Sequence, residues 1–296
     1  MELSISKANT FIQCEMRYYL ERVQHWKLAV EPPWFKYGTA VDDLLAVVDT
    51  EGLEVARTKI KDYYPNDEYT QVDIDYLLTL YIMKYIGEPF KPVVLDGQDG
   101  NQFKIYQDLG EDVILHGYVD KVHEYNTQIG FTERKTTSEA INETSVYWDK
   151  LYLDPQIRAY AMGLTEANIE PVNLCNYEVL RKPNKKISVM FDRSRAETIA
   201  EYKERVGSLL TKPPKQTMIA RKKVFITSDS VKWWKDDHLN TAERMRHCEE
   251  KSRTKGERAY RRNHNSCDSY GGCPFRMYCS GKCDLEQIDF IKQVEE

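Results

Sequence analysis

The stretch from Gln102 to Thr137 constrains this chain more than any other. Before it, apolar residues recur at helical spacing; from Gln102 onward they alternate in twos. QFKIYQDL (102–109), DVILHGYVDKVHEY (112–125) and QIGFTERKTT (128–137) read as three consecutive strands. Gly110-Glu111 and Asn126-Thr127 join them, links short enough to make a meander. Asp154-Pro155 then starts a helix, with Pro in its first turn and Ile157, Tyr160, Ala161 and Leu164 at i, i+3, i+4, i+7. VNLCNYEVL (172–180) and KISVMF (186–191) are predicted to form a hairpin over residues 182–185. The order helix, strand, strand, strand, helix, strand specifies an α/β domain.

Helical material flanks this core. Ser4 or Ser6 caps a helix that reaches Val23. Gly38 opens a second, with Val41, Leu44, Leu45 and Val48 as its apolar stripe, and more helix is predicted over 52–62 and 71–86. Pro89 and Pro92 end the block. Beyond the hairpin the chain reads as mostly helical, with a polar break at Thr211 to Pro214. These readings give one domain over 1–296: a helical part (1–90), an α/β core (91–192), and a helical, cysteine-rich part (193–296).

Hydrophobic residues at 41% and charged residues at 30% are ordinary for a globular chain. The longest purely apolar run, Leu44 to Val48, is far too short to span a bilayer. The first twenty residues hold no apolar leader, so a cytoplasmic location is expected. The net charge of −5 excludes a generic polyanion binder. Locally the balance reverses: Thr241 to Asn265 carries eight Lys and Arg against four Glu, a solvated helix face or a track for a phosphate backbone.

Two neighbouring strands carry charge where a core strand is apolar. One ends in Gly117-Tyr118-Val119-Asp120; the other contains Glu133-Arg134-Lys135-Thr136. Glu133 and Lys135, two apart, share one strand face, and Asp120 sits near the hairpin partner of Glu133. Two carboxylates and a lysine at one sheet suit phosphodiester hydrolysis assisted by Mg²⁺ or Mn²⁺. Hard cations take oxygen ligands, a bound ion acidifies water, and the lysine orients that water or neutralises developing charge. Taken alone, E-x-K reads as a surface ion pair; Asp120 one strand upstream turns it toward a site.

G-Y-V-D (117–120) followed by E-R-K-T (133–136) resembles the core of the PD-(D/E)XK nucleases, and of these the RecB-type domain with its phage and CRISPR-adaptation relatives. The Q-x-x-x-Y motif of that subgroup is matched by Gln156 to Tyr160, an i, i+4 pair on one helix face. The resemblance implies a restriction-endonuclease-like mixed sheet flanked by helices. It also implies roles: Asp120 and Glu133 as metal ligands, Lys135 as the catalytic lysine, and Gln156 and Tyr160 positioning DNA or that lysine. One position departs. The subgroup carries G-x-x-x-H on an early helix, whereas here Gly38-Thr39-Ala40-Val41-Asp42 puts Asp42 in the histidine slot. Aspartate is a harder ligand than imidazole and shifts preference toward Mg²⁺; the change also leaves open a catalytically silent, DNA-binding subunit of a recombination complex.

Of seven cysteines, four fall between Cys267 and Cys283. Only Cys279 and Cys283 have the C-x(2–4)-C spacing of structural zinc sites, so a zinc-stabilised nucleic-acid binder is the weaker reading. Iron–sulfur relatives of the RecB-type nuclease place one cysteine near the N-terminus and three near the C-terminus. Cys14, within FIQCEMRYY, and Cys273-Pro-Phe-Arg-Met-Tyr-Cys279 resemble those segments. By that resemblance Cys14, Cys267, Cys273 and Cys279 hold a [4Fe–4S] cluster joining the two helical additions, with Cys283 an alternative to Cys267. The implied substrate is single-stranded DNA or DNA ends, in recombination, repair or phage replication, in a bacterial or phage-infected cell. No phosphate-binding G-x-x-x-x-G-K-[ST] loop is present, so unwinding falls to a helicase or recombination partner.

Overall fold

The computed structural model describes every residue except 30–32, 86, 89, 91, 96, 126, 169–170, 184–196, 212–216, 269–271, 288–289 and 293–296. It divides into two compact units. One takes Pro33–Lys104 and Tyr118–Thr227; the other takes Met1–Pro32, Ile105–Gly117 and Ser228–Glu296.

The core of the first unit is a mixed sheet. The strand Val113–Tyr125 enters it and runs antiparallel to Gln128–Thr137, with Val122 opposite Phe131. Gln128–Thr137 lies parallel to Leu174–Arg181, with Glu133 opposite Tyr177 and Arg134 opposite Glu178. Parallel neighbours need a crossover, and the helix Pro155–Asn168 lies in that connection. Leu174–Arg181 pairs on its other side, antiparallel, with Ile219–Phe225. The helices Pro33–Thr50, Leu53–Tyr63, Glu68–Tyr85 and Ile199–Thr211 bury Leu44, Leu45, Ile74, Leu77, Tyr202 and Val206 in one core, which Leu180 and Ile219 of the sheet join. The fold is thus α/β, a central mixed sheet flanked by helices.

The three meander strands lie within a residue or two of their predicted bounds, and the later helix begins at Pro155 as expected. Three readings need correction. Gly38 does not open its helix, which begins five residues earlier at Pro33, a residue whose missing N–H costs nothing in a first turn. Ile219–Phe225 is a strand in a stretch read as helical. Its run Arg221-Lys222-Lys223 hides the alternation because these side chains spend their charge on neighbours: Arg221 pairs with Glu178 and Glu88, and Lys222 lies over the Trp148 ring. Thirdly, the helix expected to reach Val23 breaks at Cys14. The predicted strand 186–191 lies outside the described residues.

The second unit is assembled from both chain ends. Ser4 caps the helix Ile5–Gln13, accepting from Lys7 N. At Cys14 the backbone is extended (φ −162°, ψ 112°) before helix resumes at Glu15. The break leaves helix-end groups to be satisfied, and residues 261–266 satisfy them. Asn263 Nδ2 and Ser266 Oγ donate to the Gln13 carbonyl at 2.8 and 2.7 Å, and Met16 N–H donates to the Arg261 carbonyl at 3.0 Å. The buried Glu15 carboxylate accepts from the Arg261 N–H and from the Arg244 and Arg261 guanidinium groups. The strands Trp26–Leu28 and Phe290–Lys292 pair antiparallel, and Phe275 stacks on Phe290 at 4.6 Å. The basic segment lies in the long helix Ser228–Lys255 only as far as Lys255; in that helix Trp234 is buried against His238 and Trp233 is exposed. Among the described residues no helix is long and apolar enough to cross a membrane.

Candidate active site

Strand pleating puts the two charged sets of Gln128–Thr137 on opposite faces. On one face lie Glu133 and Lys135. The Lys135 ammonium donates to Glu133 Oε1 and, at 2.9 Å, to Gln156 Oε1; Gln156 Nε2 donates at 2.6 Å to the Tyr160 hydroxyl. One hydrogen-bonded chain therefore links four of the sequence-predicted residues. Pro155 fixes where the helix carrying two of them begins, and i, i+4 spacing stacks Gln156 below Tyr160.

Asp120 joins from the adjacent strand. It is buried, and its Oδ2 accepts the Arg134 N–H at 2.6 Å. Asp42 arrives on the Pro33–Thr50 helix, which passes close to the strand at Gly38: a Cβ there would stand 3.2 Å from Thr136 Oγ1. Asp42 Oδ2 accepts from Gln102 Nε2 at 3.1 Å.

The electrostatics are lopsided. Burial pushes the Asp120 carboxyl well up, and the negative charges of Glu133 and Asp42 push it further. Burial likewise raises Glu133 to about 7; Lys135 opposes this, while Asp154 and Asp42 add to it. Burial also raises Asp42, although Arg134 and the Gln102 hydrogen bond pull it down. For Lys135, burial disfavours the charge, but Glu133 and Asp120 more than offset that and hold it above the ordinary lysine range. Two buried carboxylate oxygens, Asp42 Oδ1 and Glu133 Oε2, have no hydrogen-bond partner. Unpaired buried acceptors are costly, and hard cations such as Mg²⁺ and Mn²⁺ prefer such oxygens, so the donor set fits one. Among the described residues, no three His, Cys, Asp or Glu side chains are gathered closely enough to hold an ion as they stand.

Two neighbours were missed in the sequence. Asp154 read only as a helix start. Its Oδ1 does accept the Gln156 N–H at 2.9 Å, but Oδ2 accepts from the Tyr177 hydroxyl at 3.3 Å, and its charge acts on both Glu133 and Lys135. An acid directly ahead of Q-x-x-x-Y was the available signal. Gln102 sat at the edge of a predicted strand; its left-handed backbone (φ 49°) marks it as held against strain, which no spacing rule reveals.

On the opposite face Arg134 is buried between Asp49 and Glu178, bonding Asp49 closely and standing 3.6 Å from Glu178. Lys121 also pairs with Asp49, Arg221 with Glu178, and the Tyr81 hydroxyl donates to Glu178. His123 lies on this face between Thr132 and Asn176. Burial, with the Lys121, Arg221 and Arg134 cations, pulls its pKa down to about 3, so it is neutral.

In the other unit, Cys14 Sγ accepts the Asn263 N–H at 3.4 Å. Burial pushes the Cys279 thiol up to about 11, opposed by Arg262 and reinforced by the thiols of Cys273, Cys14 and Cys267 that it faces. Those are the four cysteines marked in the sequence. Cys175 and Cys248 are buried elsewhere.

No curated protein matches the chain. The family model of the PD-(D/E)XK nuclease superfamily matches residues 2–280, a span that contains every site residue above. Members of that superfamily are mostly nucleases and generally use Mg²⁺ or Mn²⁺. With a match over nearly its whole length, the chain belongs to the PD-(D/E)XK nuclease superfamily.

Proposed function

We propose that this protein is a metal-dependent deoxyribonuclease, an exonuclease acting on single-stranded DNA or DNA ends. The observation that carries the reading is the Glu133–Lys135–Gln156–Tyr160 hydrogen-bond chain beside carboxylate oxygens left without partners. Asp42, Asp120 and Glu133 would hold Mg²⁺ or Mn²⁺. When bound, the ion supplies an acidified water and positive charge facing the phosphodiester. Lys135 stays protonated between Glu133 and Gln156, so its role is to orient water and meet charge on the phosphoryl oxygens rather than to accept a proton. Gln156, fixed by Tyr160, sets the direction of that ammonium. Asp154 sustains the negative field that keeps Lys135 charged. The reading fits work in recombination, repair or phage replication, in the cytoplasm, with unwinding supplied by a partner helicase. Incubation with 5′- and 3′-labelled single-stranded DNA and either ion tests activity and polarity together; equal survival of substrate with wild type and a Glu133→Ala/Lys135→Ala variant would refute it.

The raised carboxyl makes a separate expectation for the ion. Glu133 titrates near 7 in the folded chain against an ordinary 4.5. Between those values the folded state holds a proton that the unfolded state has released, so stability of the metal-free protein falls as pH rises. The loss is roughly 3 kcal/mol from pH 4.5 to 7, and saturating Mg²⁺ restores it at neutral pH. Melting curves with and without Mg²⁺ at both pH values check this; a metal-free protein as stable at pH 7 as at pH 5 contradicts it.

Cys14, Cys267, Cys273 and Cys279 would carry the [4Fe–4S] cluster, four thiolates being its usual ligand set. Binding there would fasten residues 13–16 to 261–279, segments that already share backbone hydrogen bonds. Anaerobically purified wild type and Cys283→Ser are expected to be brown and to contain iron and sulfide, and Cys279→Ser to lack both. A colourless protein containing zinc would remove the cluster.

A further inference from the structure

Between the Gln128–Thr137 strand and the helix bearing Gln156 runs a 3₁₀ segment, Val146–Leu153. It buries Tyr147, Trp148 and Leu151 and leaves Val146, Tyr152 and Leu153 exposed, at 77%, 61% and 80%. Tyr152 and Leu153 immediately precede Asp154, the acid whose field reaches Glu133 and Lys135. Adjacent α-carbons are about 3.8 Å apart, so this apolar edge stands at the border of the site. The other acid-bearing elements repeat the pattern. Phe35, 60% exposed, lies two helical turns before Asp42; Tyr118, 53% exposed, lies two residues before Asp120 on the same strand face.

The edge is rigid. The Arg158 guanidinium donates to the Tyr152 carbonyl and, at 2.8 Å, to that of Asp154. Trp148 Nε1 donates to Asn142 O at 2.9 Å, and Ser145 caps the segment through the Tyr147 N–H. Cations lie against its buried rings: Lys150 Nζ is 4.1 Å from the Tyr147 ring centre and also pairs with Glu139, and Lys222 Nζ is 4.7 Å from that of Trp148. Exposed aromatic and aliphatic surface, held in place and backed by positive charge, matches one occupant, a nucleic-acid strand whose bases are unpaired. A duplex offers phosphates to the lysines but no free base face to the edge.

We infer that Tyr152 and Leu153, with Val146 beside them, form a stacking ledge for an unpaired base of the strand entering the site. The inference rests on the nuclease reading. Its test measures binding and hydrolysis separately. In a Lys135→Met background, with Mg²⁺ left out so that DNA stays uncut, fluorescence anisotropy is followed with single-stranded DNA and with a blunt duplex of the same sequence. Tyr152→Ala/Leu153→Ser is expected to weaken single-strand binding about 5- to 150-fold and to leave duplex binding within about twofold. Tyr152→Trp is expected to keep the single-strand affinity. Unchanged single-strand affinity in the double variant overturns the ledge, as does equal weakening on duplex or failure of the parent to bind single strands at all. In the Lys135 background, hydrolysis of methyl p-nitrophenyl phosphate, which has no base, is expected to be the same with and without the ledge. Absence of that hydrolysis in wild type, with ledge-dependent binding intact, would sink the nuclease reading alone.

Discussion

Lys135→Met lowers the rate of Mg²⁺-dependent cleavage of labelled single-stranded DNA by roughly a thousandfold. The substitution removes the cation hydrogen-bonded to Glu133 while keeping the length of the side chain. Two consequences compound. The positive charge facing the phosphoryl oxygens is gone, and Glu133, which burial already lifts to about 7, loses the group that opposes the lift. Its carboxyl then holds a proton at neutral pH and is a poor ligand for a hard cation. The variant should therefore need more Mg²⁺ as well as turn over more slowly, and the Mg²⁺ deficit should shrink as pH rises while the turnover deficit remains. A single-turnover assay across Mg²⁺ concentration and pH reads the two effects apart. Cleavage within a factor of two of wild type would remove Lys135 from the chemistry. Lys135 is one-third exposed but its partner Glu133 is fully buried, so a melting curve recorded beside the assay separates lost chemistry from lost fold.

Arg134→Met acts on the other side of the same strand and is expected to lower stability by about 1–3 kcal/mol, read by urea denaturation. The guanidinium is almost wholly buried between Asp49 and Glu178. Without it Asp49 keeps Lys121 and Glu178 keeps Arg221, but Asp49 Oδ2 loses its buried donor. The Arg134 N–H, which holds Asp120, belongs to the backbone and survives. Asp42 loses the charge that pulls it down, so cleavage per folded molecule should need somewhat more Mg²⁺ but fall far less than in the Lys135 variant. An unchanged urea midpoint would show that the buried network contributes nothing net.

The difference between what the sequence disclosed and what it hid has a physical basis. The meander was legible because two-residue links leave three alternating runs no other arrangement, and the links Gly110-Glu111 and Asn126-Thr127 include positive backbone angles at Gly110, Glu111 and Thr127. Glu133, Lys135, Gln156 and Tyr160 were legible because their spacings, two on a strand and four on a helix, are the repeat distances of those elements. The strand Ile219–Phe225 was not, since alternation is read from hydrophobicity and between the buried Ile219 and Val224 stands Arg221, covered by pairing with Glu178 rather than by being apolar. The break at Cys14 was hidden for a different reason. Its cause lies some 250 residues away, in the Asn263 and Ser266 groups that take the Gln13 carbonyl. Asp154 and Gln102 enter through side-chain contacts across elements, which local patterns do not encode.

The alternation of charge along Gln128–Thr137 has one more consequence. Glu133 and Lys135 face one layer, Thr132 and Arg134 the other, and each layer has partners of matching sign waiting. Sliding the strand by a single residue turns every side chain over. Arg134 would then enter the acidic site, and Glu133 would be driven between Asp49 and Glu178, placing three buried carboxylates against the two cations Lys121 and Arg221. An apolar strand buried on both faces tolerates such a slip at little electrostatic cost; this one does not. The charges that make the site reactive therefore also act as a key for strand assembly, so that a misaligned sheet is penalised before any substrate is met.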